Sequence, residues 1–322
     1  MTPLEKTVTV RDRRFLLRVE TSAEPADYGK YEALREEIWG FPDDHMSSSR
    51  NMMCENIFHE GGSLFIGAFA EAPGGGGFED GLAGFCYGFV GVRDKETGYR
   101  DPANLRFYAQ YAGVRRPFQS YGLGVLLKEF QRESVLGLMG VSTIICTYDP
   151  LTGVNANRNI RRFGMDVLEY RVATYGEYGG HLNRADVPTD RFLMSWDLAR
   201  AERPPVPDAG TVGRAAETVR ASVRRVEGRG GPIELEVVEG TDPEAAGDTL
   251  LVRVPLDFYL MLQETDVRAE EVRRIPVDWR LATRAVLRRL FERGYRVADF
   301  LKAGPDAPAN RYVLTRGLTA GR

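Results

Sequence analysis

Apolar positions along the chain alternate between a period of two and a period near 3.6, and each change marks an element. Residues 15–20 alternate and predict a strand. Residues 26–39 carry Tyr28, Tyr31, Leu34 and Ile38 at helical spacing, with Pro25 ahead and Gly40 behind, and predict a helix marked at both ends. Ser47, Ser48 and Ser49 offer caps for a second helix that reaches Asn56 or Phe58. Residues 63–71 and 81–94 predict strands flanking the flexible tip Pro73-Gly74-Gly75-Gly76-Gly77. Residues 108–114, aromatic and small-apolar, predict a further strand. Residues 125–135 predict a helix through Leu126, Leu127 and Phe130, and the β-branched run 141–147 predicts a buried strand. Residues 167–175 and 192–198 predict a hairpin whose loop, 176–190, is long and polar. The predicted order over this part is β-α-α-β-β-β-α-β-α-β-β.

Beyond residue 200 the composition changes. Residues 201–212 are rich in proline and polar residues and predict a linker between a domain at 1–200 and a smaller α+β domain at 213–322. Arg214, Arg220, Arg224, Arg225 and Arg229 follow, with Glu217 and Glu227 among them; this is a solvated basic face or a patch for an anionic ligand. Residues 249–258, 295–301 and 311–315 predict strands. Residues 278–293 predict a helix with Asp278 as its cap and Trp279, Ala282, Val286 and Leu290 as its apolar stripe. Strand, helix, strand, strand echoes the first domain from residue 108 onward. A degenerate half-repeat is expected, lacking the glycine turn that the first copy has.

That turn carries the chemistry. Gln119-Ser120-Tyr121-Gly122-Leu123-Gly124 lies between a predicted strand and a predicted helix. A glycine turn feeding a helix N-terminus leaves backbone N–H groups unpaired, and the helix dipole adds positive charge there. A phosphate is the natural guest, because glycine admits close backbone approach and positive φ. The spacing is not the G-x-G-x-x-G of dinucleotide-binding turns, and no G-K-[ST] follows as in a P-loop.

Gln119-Ser-Tyr-Gly122-Leu-Gly124 resembles the Q/R-x-x-G-x-G/A acetyl-CoA-binding motif of the GNAT acetyltransferase superfamily. It sits where that fold has it, between the fourth strand and the following helix. Tyr148-Asp149-Pro150-Leu151 and Asn155-Ala-Asn157-Arg-Asn159-Ile-Arg-Arg-Phe-Gly164-Met165 resemble the segment after the fifth strand. More narrowly, these stretches resemble a bacterial group of predicted GNAT acetyltransferases of unassigned substrate. So do Leu182-Asn183-Arg184, Pro188-Thr189-Asp190-Arg191 and Trp279-Arg280-Leu281-Ala282-Thr283-Arg284.

The resemblance implies an α+β fold, a mixed and mostly antiparallel twisted sheet flanked by helices. It implies an acetyl group passed from acetyl-CoA, as co-substrate, to a small-molecule or peptide amine by direct attack in a ternary complex. It assigns the backbone of Ala112 and Val114 to the pantetheine arm and the amides of Gln119, Ser120, Tyr121, Gly122, Leu123, Gly124 and Val125 to the pyrophosphate, with charge from Arg115 or Arg116. Many members carry a tyrosine after the fifth strand as thiolate acid. Here that position falls near Ile160, so Tyr148 is the substitute acid unless it is aromatic core, the commoner role of a strand tyrosine, and Asn157 bonds the pantetheine or orients a water. Glu177 and Asp190 are bases acting through water, or solvated loop acids. Glu177, His181, Asn183 and Arg184 line the acceptor side, unless Asn183-Arg184 and Thr189-Asp190-Arg191 instead form an internal Asp–Arg network. A coenzyme-binding protein without turnover is the alternative, and a protein-interaction scaffold on the C-terminal half a third.

Composition narrows the rest. At 322 residues, with 43% hydrophobic and 28% charged residues, the chain has globular proportions and room for two domains. A net charge of −3 argues against a dedicated nucleic-acid binder. No apolar run reaches the ~20 residues of a membrane span, and the start lacks a signal-peptide core. Cys54, Cys86 and Cys146 form no metal spacing, and an odd count suits a reducing cytoplasm. His45, His59 and His181 are scattered, so no metal is expected. Nothing in the sequence sets the oligomeric state, and a homodimer is compatible with it.

Overall fold

The computed structural model describes residues 2–40, 48–57, 62–176, 179–200, 202–304 and 308–317, without the side chains of Ile57 and Ser120. Ser47, Phe58, His45, His59 and Glu177, each weighed above, lie outside the described residues.

In chain order the elements begin with β1 (Glu5–Val10), β2 (Arg13–Val19), α1 (Pro25–Trp39), α2 (Ser49–Ile57), β3 (Ser63–Glu71), β4 (Phe78–Val92) and β5 (Leu105–Val114). Then come α3 (Leu123–Met139), β6 (Thr143–Tyr148), α4 (Gly153–Ala156) running into a π turn (Asn157–Arg162), β7 (Asp166–Arg171) and β8 (Arg191–Asp197). The C-terminal part holds α5 (Ala209–Arg214), β9 (Ala216–Glu217), β10 (Val219–Gly228), β11 (Gly231–Thr241), β12 (Thr249–Val254), α6 (Phe258–Glu264), α7 (Glu270–Arg273), α8 (Ile275–Glu292), β13 (Tyr295–Leu301) and β14 (Asn310–Arg316). The mostly antiparallel main sheet has eight strands in the order β1-β2-β3-β4-β5-β6-β8-β7. By contact the chain divides into two compact units, Met1–Cys146 with Asp197–Ala199, and Thr147–Trp196 with Arg200–Arg322.

The first unit is organised by α1. Tyr28, Tyr31 and Leu34 are fully buried against Phe65 and Phe85, with edge-to-face ring contacts of 5.6–6.0 Å. Burying each such side chain contributes roughly 1.5–3 kcal/mol. The close approach of α1 to β5 needs Gly113: a Cβ there would lie 2.6 Å from Ile38 and 2.8 Å from Trp39. Helix α3 packs on β4 and β5 through buried Leu127 and Phe130, and the Cys86 thiol donates to the Leu127 carbonyl at 3.8 Å.

Strand β5 does two things that matter for a site. Its antiparallel pairing with β4 slips between Tyr111↔Tyr87 and Ala109↔Gly88, leaving Gln110 as a bulge. Its parallel pairing with β6 is confined to Phe107↔Ile144 and Tyr108↔Ile145. Downstream of Tyr108 the strand parts from β6.

The second unit contains a four-stranded sheet in the order β13-β14-β12-β9 and the two-stranded ribbon β10-β11. Read from its other end, β9-β12-β14-β13 repeats β5-β6-β8-β7 of the main sheet. The agreement extends to direction: β9 pairs with β12 in parallel as β5 does with β6, and β13–β14 is an antiparallel hairpin as β7–β8 is. The half-repeat expected from the sequence therefore has a topological counterpart, with two corrections. Residues 249–254 match the fifth strand rather than the fourth, whose counterpart is the two-residue β9; and the ribbon β10–β11 stands where the first copy has α3. Of the arginine-rich stretch, Arg220, Arg224 and Arg225 lie on the first strand of that ribbon, and Arg214 ends α5.

Two other expectations change. Helix α8 starts at Ile275 with Pro276 in its first turn, so Asp278 is not the cap. It is a first-turn acid, complementing the helix dipole and lying 3.4 Å from Arg274. The contact boundary falls at residue 146 rather than 200, because the side chains of 148–191 are held by those of 265–312, as shown below. Residues 202–214 are more than a tether: Arg203 pairs with buried Asp299, and Asp208 caps α5. No helix among the described residues is long and apolar enough to cross a membrane.

Candidate functional site

The turn between β5 and α3 is built from both sides. Arg116–Tyr121 form a 3-10 helix, Gly122 follows at φ 75° and ψ 8°, and Leu123 begins α3. Phe118 is buried edge-on to Phe15, and Tyr121 packs on the same ring, each at 6.0 Å. Leu123 is fully buried on the other side. With both flanks anchored, the positive φ between them falls to glycine, since a side chain in that region costs about 1–2 kcal/mol.

Among the described residues, no side chain caps the N-terminus of α3. A Cβ placed on Gly122 meets nothing within 4 Å, so the residue borders open space. Gln119 turns back to donate to the Val114 carbonyl at 3.1 Å and closes the turn onto the end of β5. The Val125 N–H is taken by the Gly122 carbonyl at 2.9 Å, so it is not the phosphate donor expected of it, and the amides of Leu123 and Gly124 are the ones left without a capping side chain among the described residues, beside a strand end that has left its neighbour. That donor set fits a diphosphate.

The other predicted coenzyme residues sit around this turn in the first unit. Ala112 and Val114 are half-buried on β5, and Gly124 and Val125 lie in the first turn of α3. Arg115 is engaged by Glu37 on α1, its Nε 3.0 Å from the carboxylate, while Arg116 is exposed. Asn157 opens the π turn of the second unit, half-buried, and Ile160, where a tyrosine would serve as acid, is buried in that turn.

The proposed acid does not fit its role. Tyr148 is buried in the second unit, its hydroxyl 3.2 Å from that of Tyr312, which donates to the Pro150 carbonyl at 2.6 Å. Its ring packs edge-on to Phe192 at 5.9 Å. With the Tyr312 proton on Pro150, Tyr148 donates to Tyr312, and its own proton is committed. Burial, then the nearby Tyr148, push the Tyr312 hydroxyl well above its ordinary value.

Two of the acceptor-side residues are also structural. Arg184 is buried; its Nε meets Asp186 at 2.6 Å, its Nη1 donates to Thr265 at 2.8 Å, and its Nη2 donates to the Arg273 carbonyl. Asn183 accepts from Arg191 at 3.2 Å. His181 is exposed. The internal Asp–Arg alternative is what forms. Asp190, fully buried, accepts from Arg284, Tyr170 and the Ala173 amide. Asp149 accepts from Arg280 and lies 3.5 Å from Arg191. The arginines at 280 and 284 are one turn apart on α8, which delivers both to these carboxylates. Asp190 is therefore no solvated loop base.

A carboxylate that sequence reasoning missed lies in the first unit. Glu55 on α2 accepts a hydrogen bond from the Tyr87 hydroxyl on β4. The Tyr87 ring is stacked on Phe65 at 4.1 Å and lies nearly parallel to Tyr111 at 6.4 Å, and Trp39 packs edge-on to Tyr111 at 5.1 Å. Burial, then the bond to Glu55, push the Tyr87 hydroxyl far above its ordinary value, so it stays a donor. The only trace in the sequence is the aromatic alternation Tyr87, Phe89 on one strand and Tyr108, Tyr111 on the next. The partner on α2 leaves none.

No family model matches the chain, and no curated protein matches it. Solved structures do. NAA60 of Arabidopsis thaliana in complex with a bisubstrate analogue is similar over 56% of this chain and 97% of its own, at 14% identity and a TM-score of 0.42. The ribosomal-protein-S5-alanine acetyltransferase of Vibrio fischeri is similar over 61% and 99%, at 10% identity and a TM-score of 0.43. Aminoglycoside 6′-acetyltransferase type Ii is similar over 57% and 99%, at 12% and 0.39. The strand order, the β5 bulge and the parting of β5 from β6 decide the architecture in this chain's own terms. It is the architecture that the sequence resemblance implies, a mixed and mostly antiparallel sheet flanked by helices. Within it, Gln119 to Gly124 occupy the junction of strand and helix that the sequence resemblance implies.

Proposed function

We propose that the protein is an acyltransferase that passes an acetyl group from acetyl-CoA to an amine acceptor by direct attack in a ternary complex. The observation that carries this is the uncapped N-terminus of α3, entered through Gly122, beside a β5 that has parted from β6. Each charge-assisted hydrogen bond from those amides to phosphate contributes roughly 1.5–3 kcal/mol. A few of them, with the dipole, approach the ~8 kcal/mol of a micromolar ligand before ordering costs. Peptide groups of Ala112 and Val114 run beside the pantetheine arm in this reading, and a donor there polarises the thioester carbonyl. Isothermal titration with acetyl-CoA tests it: binding in the micromolar range is expected, and no binding at millimolar coenzyme ends the proposal.

One observation favours a second reading, coenzyme binding without turnover. Tyr148 is committed to Tyr312, and Ile160 holds the position of the usual acid. Release of free thiol from acetyl-CoA across a panel of amines separates the two. Tight binding with no release above background selects the second.

A further inference from the structure

We infer that Glu55, held by Tyr87, receives the acceptor as a cationic primary amine with an apolar or aromatic body, and takes its proton before acyl transfer. The inference rests on the coenzyme reading above and adds to it the substrate class and the proton acceptor.

The argument begins with placement. Tyr87 is the cross-strand partner of Tyr111, and Tyr111 adjoins the Gln110 bulge. That bulge lies on the stretch of β5 that has left β6, between Tyr108, the last paired residue, and Ala112. The carboxylate tied to Tyr87 is therefore presented beside the part of β5 where the reacting end of a coenzyme arm would come to rest. Glu55 itself is half-buried, so it is neither a solvated surface acid nor sealed in the core.

The walls are aromatic. Trp39, Tyr108 and Tyr111 are half-buried and Phe89 is exposed; Trp39 and Tyr111 touch at 5.1 Å, Phe89 and Tyr108 at 5.5 Å, and buried Tyr87, stacked on Phe65, links the two pairs from behind. Ring faces attract a cation while excluding anions and water, and they favour an apolar body behind it. One carboxylate among such faces selects an ammonium head. The Tyr87 hydroxyl fixes one oxygen of Glu55 and leaves the carboxylate charge for the ligand. Tyr87 is a positioning residue.

The proton balance closes without another reactant. The ammonium gives a proton to Glu55 and becomes the neutral amine. Its nitrogen lone pair forms the N–C bond to the thioester carbonyl carbon, and the C–S bond breaks with its electron pair on sulfur. The second proton on nitrogen passes to the thiolate, giving amide and free coenzyme thiol, and Glu55 returns its proton to solvent.

The test uses full-length protein, acetyl-CoA, and two amines that differ in basicity, 2-phenylethylamine and 2,2-difluoro-2-phenylethylamine. Wild type is expected to release thiol with 2-phenylethylamine. Glu55→Gln should lower kcat/KM for this amine at least a hundredfold, as loss of a general base does. It should lose far less with the fluorinated amine, which is largely neutral without help, and its acetyl-CoA Kd should be unchanged. Glu55→Asp should recover part of the rate. Tyr87→Phe should lower kcat several-fold and serves as the deciding variant should Glu55→Gln not fold. Equal activity of wild type and the decisive variant on both amines overturns the inference. So does coenzyme binding by wild type with no thiol release from either amine. Absence of coenzyme binding by wild type removes the transferase reading and this inference together, and is told apart by titration alone.

Discussion

Arg284 Nε and Nη2 each lie 2.8 Å from a different oxygen of Asp190, a two-pronged pair between a residue of α8 and one 94 positions earlier. Tyr170 and the Ala173 amide fill the remaining sites of the carboxylate at 2.6 and 2.9 Å. Removing one partner of a buried pair leaves the other uncompensated, at about 3–5 kcal/mol. Asp190→Ala should lose stability of that order in urea unfolding. A double-mutant cycle with Arg284→Ala should show strong coupling, whereas independent effects would mean that the pair does not hold the unit.

The same carboxylate makes a pH prediction. Burial alone would raise Asp190, but the bonds from Arg284, Tyr170 and Ala173 outweigh it and hold it below the usual carboxylate value. A depressed folded value means its contribution is complete above the unfolded value of about 3.9 and is lost as pH falls through the folded one. Acid unfolding of Asp190→Asn, followed by circular dichroism, should therefore be shallower than that of wild type below about pH 4. Parallel curves would contradict it.

Gly122→Ala separates backbone strain from steric clash. The added methyl meets nothing within 4 Å, so any cost comes from φ 75° alone. A loss of about 1–2 kcal/mol is expected. Calorimetric titration with acetyl-CoA should show a Kd raised about tenfold or more, because relaxing φ turns the amides of the turn away. An unchanged Kd would place the coenzyme elsewhere.

Burial raises the Cys86 thiol to about 12, with only slight opposition from Lys128, so its thiolate is scarce at neutral pH. Under native conditions iodoacetamide should modify the half-buried Cys54 first. Buried Cys86 and Cys146 should react only after unfolding, as peptide mass spectrometry would reveal.

Elements with strong periodicity were legible in the chain. The span 63–71 is the strand expected, and α1 begins and ends within a residue of its proline and glycine marks. Strand β1 was not legible, because Val8 and Val10 are its only apolar positions and two residues are too few to establish a period. Strand β10 was not legible, because its arginine run reads as a solvated basic face or an anionic-ligand patch, and only the pairing with β11 shows what Arg220, Arg224 and Arg225 decorate. Helix α8 begins one turn early because Pro276, at home in a first turn, carried more weight than Asp278. At the candidate site, the glycine turn was plain because its residues are consecutive. The fate of Tyr148 was not, since Tyr312 lies 164 positions away and a single sequence holds no record of who faces whom.

The echo of β5-β6-β8-β7 in β9-β12-β14-β13 has a consequence for stoichiometry. A polypeptide with two copies of a half-fold would be expected to offer two nucleotide ports. Here the second copy spends the length between its first two strands on a β-ribbon and has no glycine-led helix to receive a diphosphate. Duplication without the turn leaves that half a scaffold, and the transferase reading then predicts one coenzyme per chain, which the stoichiometry of the titration would check.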